Sequence, residues 1–217
     1  MKLKGVVFDF NGTLFWDSYL HNKAWDIFLE KHGIKLSDQE KNIKIHGKNN
    51  QDIMNTLFNR LLPARLTDEY ILEKEGIYQK LCLKSGIQLA AGATEFLDFL
   101  SKNNIPFTIA TASGIENVDF FFEHFDLSRY FKRTEVIYND GSFPGKPNPR
   151  IFLKAMEILK LTGNETLVFE DSTVGIRSAE QAGAGKIIIV DSRGDDYSLW
   201  NYQIIKNFSE VNRSLFI

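Results

Sequence analysis

Short uninterrupted apolar runs, each closed by turn residues, recur along the chain at 6–10 (VVFDF), 107–111 (FTIAT), 135–138 (EVIY), 166–170 (TLVFE) and 186–190 (KIIIV). They are rich in β-branched and aromatic residues and do not alternate apolar with polar. That pattern predicts strands buried on both faces of a parallel sheet. Between them the apolar spacing turns helical. In TEFLDFLSKNN it ends in amides, and RIFLKAMEILK follows Asn148 and Pro149, a cap and first-turn pair. VGIRSAEQA runs to Gly183, placed as a glycine just past a helix end. Strand and helix alternate from about 90 to 190, which predicts a doubly wound α/β core.

Residues from about 15 to 88 follow only the helical period. Ser18 is placed to cap a helix through HNKAWDIFLEKH, with Leu20, Ala24, Ile27 and Phe28 on one face and Gly33 ending it. Helical patterns continue in NQDIMNTLFNRLL and DEYILEKEGIYQKLCLKSG. The expected organisation is an α/β core, Rossmann-like, from 1–14 and 89–217, with an all-helical cap of 15–88 inserted after strand one. No pattern assigns an element beyond about residue 195.

The bulk numbers add exclusions. With 43% hydrophobic and 25% charged residues, the 217-residue chain reads as globular. A net charge of −2 carries no electrostatic footprint for nucleic acid. No apolar stretch approaches the ~18 residues of a membrane span, and MKLKGVVFDF does not read as a signal peptide. Cys82, the one cysteine, reads as a small buried hydrophobe and excludes an intramolecular disulfide. A cytoplasmic location is the expectation.

In open parallel sheets ligands bind beyond the carboxyl ends of the strands. Strand one ends at Asp9, Asn11, Gly12 and Thr13; FTIAT ends at Thr111, with Ser113 two residues on; GKPNP, with Lys146, follows EVIY; TLVFE ends at Glu170, Asp171 and Ser172. Carboxylates hold a hard cation. A hydroxyl and a lysine bind phosphate oxygens. An aspartate can take a phosphoryl group as an acyl phosphate. Each part alone has a plainer reading: a solvated strand end, a Gly/Pro turn, a helix cap. Their occurrence together, in order and each at a strand end, points to one site.

DFNGTL, IATAS, Lys146 in GKPNP, and FEDSTVGIRSA resemble, in order, the four motifs of the haloacid dehalogenase superfamily. The resemblance runs from about 3 to 192. DSYLHNKAW and HGKNNQD are similar to the cap opening and cap substrate loop of its β-phosphoglucomutase and small-metabolite phosphatase branch. The resemblance implies a magnesium-dependent phosphatase acting on a small phosphorylated metabolite such as a sugar phosphate, and a monomer. It implies Asp9 as nucleophile, Thr111 and Ser113 on the transferring phosphate, and Lys146 bridging Asp9 and phosphate. Asp9, Glu170, Asp171 and the backbone carbonyl of Asn11 are the implied Mg2+ ligands. Gly12, His21, His46, Gly47, Lys48 and Asn50 are the implied substrate contacts, with Asn49 beside them. Phe15, Trp16 and Trp25 read as hinge packing and cap core rather than a ligand platform.

Asn11 departs from the motif D-x-D-G-T. In the family's phosphatases the second aspartate is the general acid and base, and an amide has no titratable proton near neutral pH. Three readings follow: a slow phosphatase, or one with another base such as His21; a different phosphoryl chemistry; a phosphate-ligand binding protein with lost turnover. A phosphomutase is a weaker alternative. β-Phosphoglucomutase holds its second phosphate with a cap arginine and lysine, and Asn50 and His46 stand in the corresponding places.

Overall fold

A computed structural model describes residues 2–45, 50–86 and 88–216, without the side chains of Asp38, Asn42, Asn50 and Gln51. His46, Gly47, Lys48 and Asn49 lie outside the described residues, as does the side chain of Asn50. The chain divides into two compact units, Met1–Trp16 with Gln88–Ile217, and Asp17–Ile87. No described helix is long and apolar enough to cross a membrane.

In chain order the elements are β1 (Gly5–Phe8), α1 (Ser18–Lys31), α2 (Asp38–Lys44), α3 (Asn50–Leu57), α4 (Ala64–Ser85) and α5 (Ala93–Lys102). They continue with β2 (Phe107–Ile109), α6 (Ile115–His124), α7 (Arg150–Leu159), β3 (Thr166–Glu170), α8 (Thr173–Gln181), β4 (Lys186–Val190) and β5 (Gln203–Ile205). Among the described residues the strands form one parallel sheet in the order β2-β1-β3-β4-β5. The chain leaves β1 to one side for β2 and to the other for β3. A topological switch point therefore lies at β1, where such sheets bind ligands.

β1 and β3 are buried along their whole length. Successive side chains point to opposite faces, and both faces are covered. Val7, Val168 and Ile187 pack with Ile151, Phe152, Ala155 and Met156 of α7 and Ala179 of α8. On the other face Phe8 and its register partner Phe169 stack, with ring centroids 5.1 Å apart, and Phe96 of α5 and Phe208 join them. Such aromatic pairs add about 0.5–1.5 kcal/mol each beyond area burial. Phe15 packs with Phe10, Phe121 and Phe125 in this unit.

The backbone N–H of Ala90 donates to the carbonyl of Leu14 at 2.8 Å. The chain thus leaves the core unit and re-enters it at one hydrogen-bonded point.

The helical unit has its own core. Trp25, Phe28 and Leu29 of α1 pack with Ile53 and Met54 of α3 and Leu62. Cys82 is buried and free.

Some expectations need correction, and one element is new. Residues 135–138 form no strand. Ile137 makes one parallel bridge to Ala110, and a short 3₁₀ turn over Arg133–Glu135 precedes it. One bridge does not extend into a ladder. Ser18 is the first helical residue of α1 rather than its cap; Asp17 occupies the cap position and makes no capping bond with its side chain. That carboxylate is engaged elsewhere, with Tyr78. Beyond 195, β5 adds a short edge strand that no pattern announced. α7 is likewise shifted by one residue: Pro149 occupies the cap position and Arg150 is the first helical residue, while Asn148, one residue earlier, accepts from the Arg150 N–H through Oδ1 at 3.0 Å. Gly183 follows α8 with φ +73.

Candidate active site

β1 ends at Phe8, but its ladder continues one residue further: the Asp9 N–H donates to Phe169 O at 3.0 Å. This fixes the Asp9 backbone against β3 and leaves its side chain just past the sheet edge, 5% exposed. The chain then turns back on itself, with Gly12 N–H bonded to Phe15 O and Phe15 N–H to Phe10 O. Gly12 holds φ +78, and a Cβ there would sit 2.2 Å from Asp171 Oδ2. The position therefore needs glycine both for its conformation and for the carboxylate beside it.

β3 delivers Glu170 and Asp171 to the same edge, both buried. Glu170 Oε2 accepts from the Ser172 N–H at 2.8 Å and its hydroxyl at 3.0 Å. Ser172 also caps α8 through the Gly175 N–H. The residue serves as both cap and carboxylate anchor. Gly175 faces Glu170 so closely that a Cβ would fall 1.8 Å from Oε1.

Lys146 closes the group. Its Nζ donates to Asp9 Oδ1 at 2.6 Å and Glu170 Oε1 at 2.5 Å, and it lies 4.9 Å over the Phe152 ring. Asp9, Glu170 and Asp171 each offer one oxygen within 4.8 Å of the others.

Beside this group lies a hydroxyl–amide cluster. Ser113 Oγ donates to Asn11 Oδ1 at 2.7 Å, and Thr111 Oγ1 to the same atom at 3.4 Å. The Ser113 N–H donates back to Thr111 Oγ1 at 3.1 Å. The ends of β1 and β2 thus bring Asn11, Thr111 and Ser113 together, as the strand-end argument expects.

The electrostatics are unbalanced. Burial pushes Asp9 up to about 7; Lys146 pulls it back and Glu170 adds to the rise. Burial also raises Asp171 far above the ordinary carboxylate range, with Glu170 and Asp9 contributing. Burial works to lower Lys146, but the Asp9 and Glu170 carboxylates outweigh it and raise the ammonium. Three buried carboxylates face Lys146, with Arg193 3.8 Å from Asp171 but shared with Asp195, so the site is short of positive charge. An all-oxygen donor set with a charge deficit suits a hard divalent cation such as Mg2+.

A pH dependence follows. A carboxyl raised from 3.8 to about 7 stabilises the fold fully below its unfolded value and loses that contribution as pH rises through about 7. Melting of the metal-free protein is therefore expected to shift down across that window. A cation held by these oxygens needs them ionised, so a rise in Tm on adding Mg2+ is expected to grow over the same range. Thermal melts with and without Mg2+ at about pH 5 and about pH 8 check this. A Mg2+ shift of equal size at both would contradict it.

The sequence reading missed the turn after β4. Tyr197 OH donates to the Asp171 carbonyl at 2.6 Å, and Arg193 Nη2 lies 3.8 Å from Asp171 Oδ2 and 2.5 Å from Asp195 Oδ2. Applying the strand-end rule to KIIIV would have found DSRGDDY. In the helical unit, His21 belongs to a largely buried polar network rather than to a solvated face. Its ring stacks on Tyr78 at 3.8 Å, Nε2 is 3.3 Å from Asp17 Oδ2, and Nδ1 is 3.1 Å from Lys74 Nζ. Lys74, only 4% exposed, pairs with Glu75 and lies over the Trp25 ring. The readable signal was spacing: Asp17 and His21, and Lys74 and Tyr78, are each four apart.

The chain is similar over nearly its whole length to proteins of known family. The phosphorylated carbohydrates phosphatase of Thermotoga maritima is 26% identical over 202 residues, which cover 91% of this chain and 90% of that protein. A crystal structure of a HAD hydrolase, family IA, variant 3, from Entamoeba histolytica is 35% identical. It superposes with a TM-score of 0.88 over 99% of this chain and 97% of that one. A β-phosphoglucomutase from Clostridium difficile shares the fold, at 20% identity and a TM-score of 0.77 over 98% and 94% of the two chains. A model of the haloacid dehalogenase-like hydrolases matches residues 3–183, and the chain belongs to that family.

Proposed function

We propose that this hydrolase is a Mg2+-dependent phosphatase acting on a small phosphorylated metabolite, such as a sugar phosphate, through a phosphoaspartate at Asp9. The observation that carries the reading is the Asp9 carboxylate at the β1 edge, bonded at 2.6 Å to Lys146, with Glu170 and Asp171 beside it. The relative from Thermotoga maritima supports the substrate class.

Asp9, Glu170 and Asp171 would hold the cation, joined by the Asn11 carbonyl. Mg2+ held there would supply charge neutralisation for the phosphate group. Asp9 attacks phosphorus, an aspartyl O–P bond forms as the bond from phosphorus to the substrate's leaving oxygen breaks, and water then cleaves the phosphoaspartate to release inorganic phosphate and restore Asp9. Lys146 holds Asp9 in place and adds positive charge where phosphate oxygens accumulate it. Thr111 and Ser113 offer hydroxyls to those oxygens. Burial of Asp9 strips water from the nucleophile before reaction.

The test is phosphate release from a panel of sugar and polyol phosphates, with Mg2+ and after chelation. Release that needs Mg2+ and singles out a few panel members is expected. Release unchanged by chelation would remove the proposed role of the carboxylate trio. Asn11 alone favours a second reading, a phosphate-ligand binding protein. It would be stabilised thermally by Mg2+ and ligand without forming product.

A further inference from the structure

We propose that Arg193 is an exchangeable counter-ion of Asp171: it balances that carboxylate in the metal-free protein and passes wholly to Asp195 when a divalent cation is held, so that Arg193 and Asp195 together set the affinity for Mg2+. The inference rests on the reading of Asp9, Glu170 and Asp171 as cation ligands. It adds two residues, from the turn after β4, that touch no reacting atom and act on the cation through Asp171.

The placement of one nitrogen is the starting point. Nη2 of Arg193 lies 2.5 Å from Asp195 Oδ2 and 3.8 Å from Asp171 Oδ2. The first distance is a hydrogen bond, and the second is an ion pair too long to be one. The Asp195 side chain is 43% exposed and that of Asp171 7%, with Arg193 between them at 36%. The guanidinium therefore stands at the boundary of the site, bonded to the carboxylate in solvent and facing the buried one. The oxygen it faces is turned toward the chain reversal after β1, since a Cβ on Gly12 would meet the same Oδ2 at 2.2 Å.

The backbone around Arg193 is fastened. The Gly194 N–H donates to Asp191 Oδ1 at 2.6 Å and closes the turn. Tyr197 packs with Ile176 and Ile189, and its hydroxyl donates to the Asp171 carbonyl at 2.6 Å, tying the turn to the end of β3. The long arginine side chain is the part left to move.

Charge decides where it goes. Lys146 pairs with Asp9 and Glu170, and Asp171 has Arg193 as its ion-pair partner. Without a cation, the buried Asp171 carboxylate is costly unless paired. A divalent cation and Lys146 together match the three carboxylates in charge, and Arg193 is then one positive charge in excess. A guanidinium cannot shed its proton, so it is driven toward a second anion. Asp195, already bonded to it, is that anion. The two residues thus push Mg2+ affinity in opposite directions: Arg193 competes with the cation for Asp171, and Asp195 draws the competitor away.

The experiment measures the Kd of the full chain for MgCl2 alone by isothermal titration calorimetry, at about pH 9 so that protons do not compete for the carboxylates. Each metal-free variant is also melted. Arg193→Gln is expected to bind Mg2+ about tenfold more tightly and Asp195→Asn about tenfold more weakly, the low end of what outer-shell partners contribute. In the double variant Asp195→Asn should add little, because it acts through Arg193. Arg193→Lys, which keeps the charge, should stay near the parent. Metal-free Arg193→Gln should melt lower than the parent while binding Mg2+ better, a pair of opposite shifts that a structural role does not produce.

Unchanged or weaker Mg2+ binding by Arg193→Gln would overturn the inference, and so would an effect of Asp195→Asn that keeps its full size in the double variant. Should Arg193→Gln not fold, Asp195→Asn decides alone, and unchanged or tighter binding there overturns the inference. In each of these cases the parent still binds Mg2+ and the phosphatase reading stands. If the parent binds no Mg2+, or Asp171→Asn binds it as tightly as the parent, the cation reading falls and the inference falls with it.

Discussion

Asp9→Ala is expected to abolish phosphate release with every substrate, by at least ~10⁴-fold, as for removal of a catalytic nucleophile. The size of the effect follows from the role: without the carboxylate there is no acceptor for the phosphoryl group, and neither Glu170 nor Asp171 takes its place at the end of β1. Stability should move the other way. Asp9 is a buried carboxyl whose pKa burial raises to about 7, so its ionised form costs stability at neutral pH. Lys146 keeps its bond to Glu170 when Asp9 is gone. The metal-free variant should therefore melt at or above the parent above about pH 7, a trade of stability against activity. Paired activity assays and melts check both halves. An active Asp9→Ala would remove Asp9 from the mechanism, and a strongly destabilised one would remove the account of its electrostatics.

Asn11→Asp is expected to raise turnover of alkyl phosphates by ~10²–10⁴-fold, or about 3–5 kcal/mol of barrier. The gain should lie in kcat, because proton transfer acts in the transition state and not in substrate binding. Ser113 and Thr111, which already donate to Oδ1 of the amide, would donate as well to a carboxylate oxygen. The new side chain therefore enters a position already furnished for it. The cost is a fourth carboxylate near Asp9, Glu170 and Asp171, so the metal-free variant should melt lower than the parent, with a larger recovery on adding Mg2+. Unchanged kcat would mean that a different group moves the proton.

The strand-end residues were legible because two strong local signals coincide at them. Buried parallel strands read as short apolar runs, and polar residues placed where those runs stop stand out. Asp9, Thr111, Glu170 and Asp171 were placed this way, whereas Lys146 was placed through GKPNP, past a run that forms no strand. EVIY carried the same signal and misled. Thr108 Oγ1 donates to Glu135 O, and Ile137 bonds the backbone of Ile109 and Thr111, so the segment lies along the sheet. Whether such contact becomes a ladder depends on non-local pairing that β propensity does not encode. β5 failed in the opposite direction. Gln203 and Ile204 are exposed and only Ile205 is buried, so an edge strand had no apolar run to announce it. α2 is a nearly all-polar helix whose one readable sign was its capping box, Ser37 with Glu40. The His21 network lay hidden because its members come from two helices far apart in sequence.

The Leu14–Ala90 hydrogen bond bears on how this architecture can be re-engineered and how it can diversify. To the sheet, everything between those two residues is a closed loop, and closing a loop of twice the length costs only about 0.6 kcal/mol more. The inserted helices bring their own apolar core, built around Trp25, Phe28 and Met54. A splice at that junction would therefore let the insertion be lengthened, shortened or exchanged for a foreign one while Asp9, Lys146, Glu170 and Asp171 keep their places. Chemistry and its surroundings can change hands separately, like a tool head and its handle.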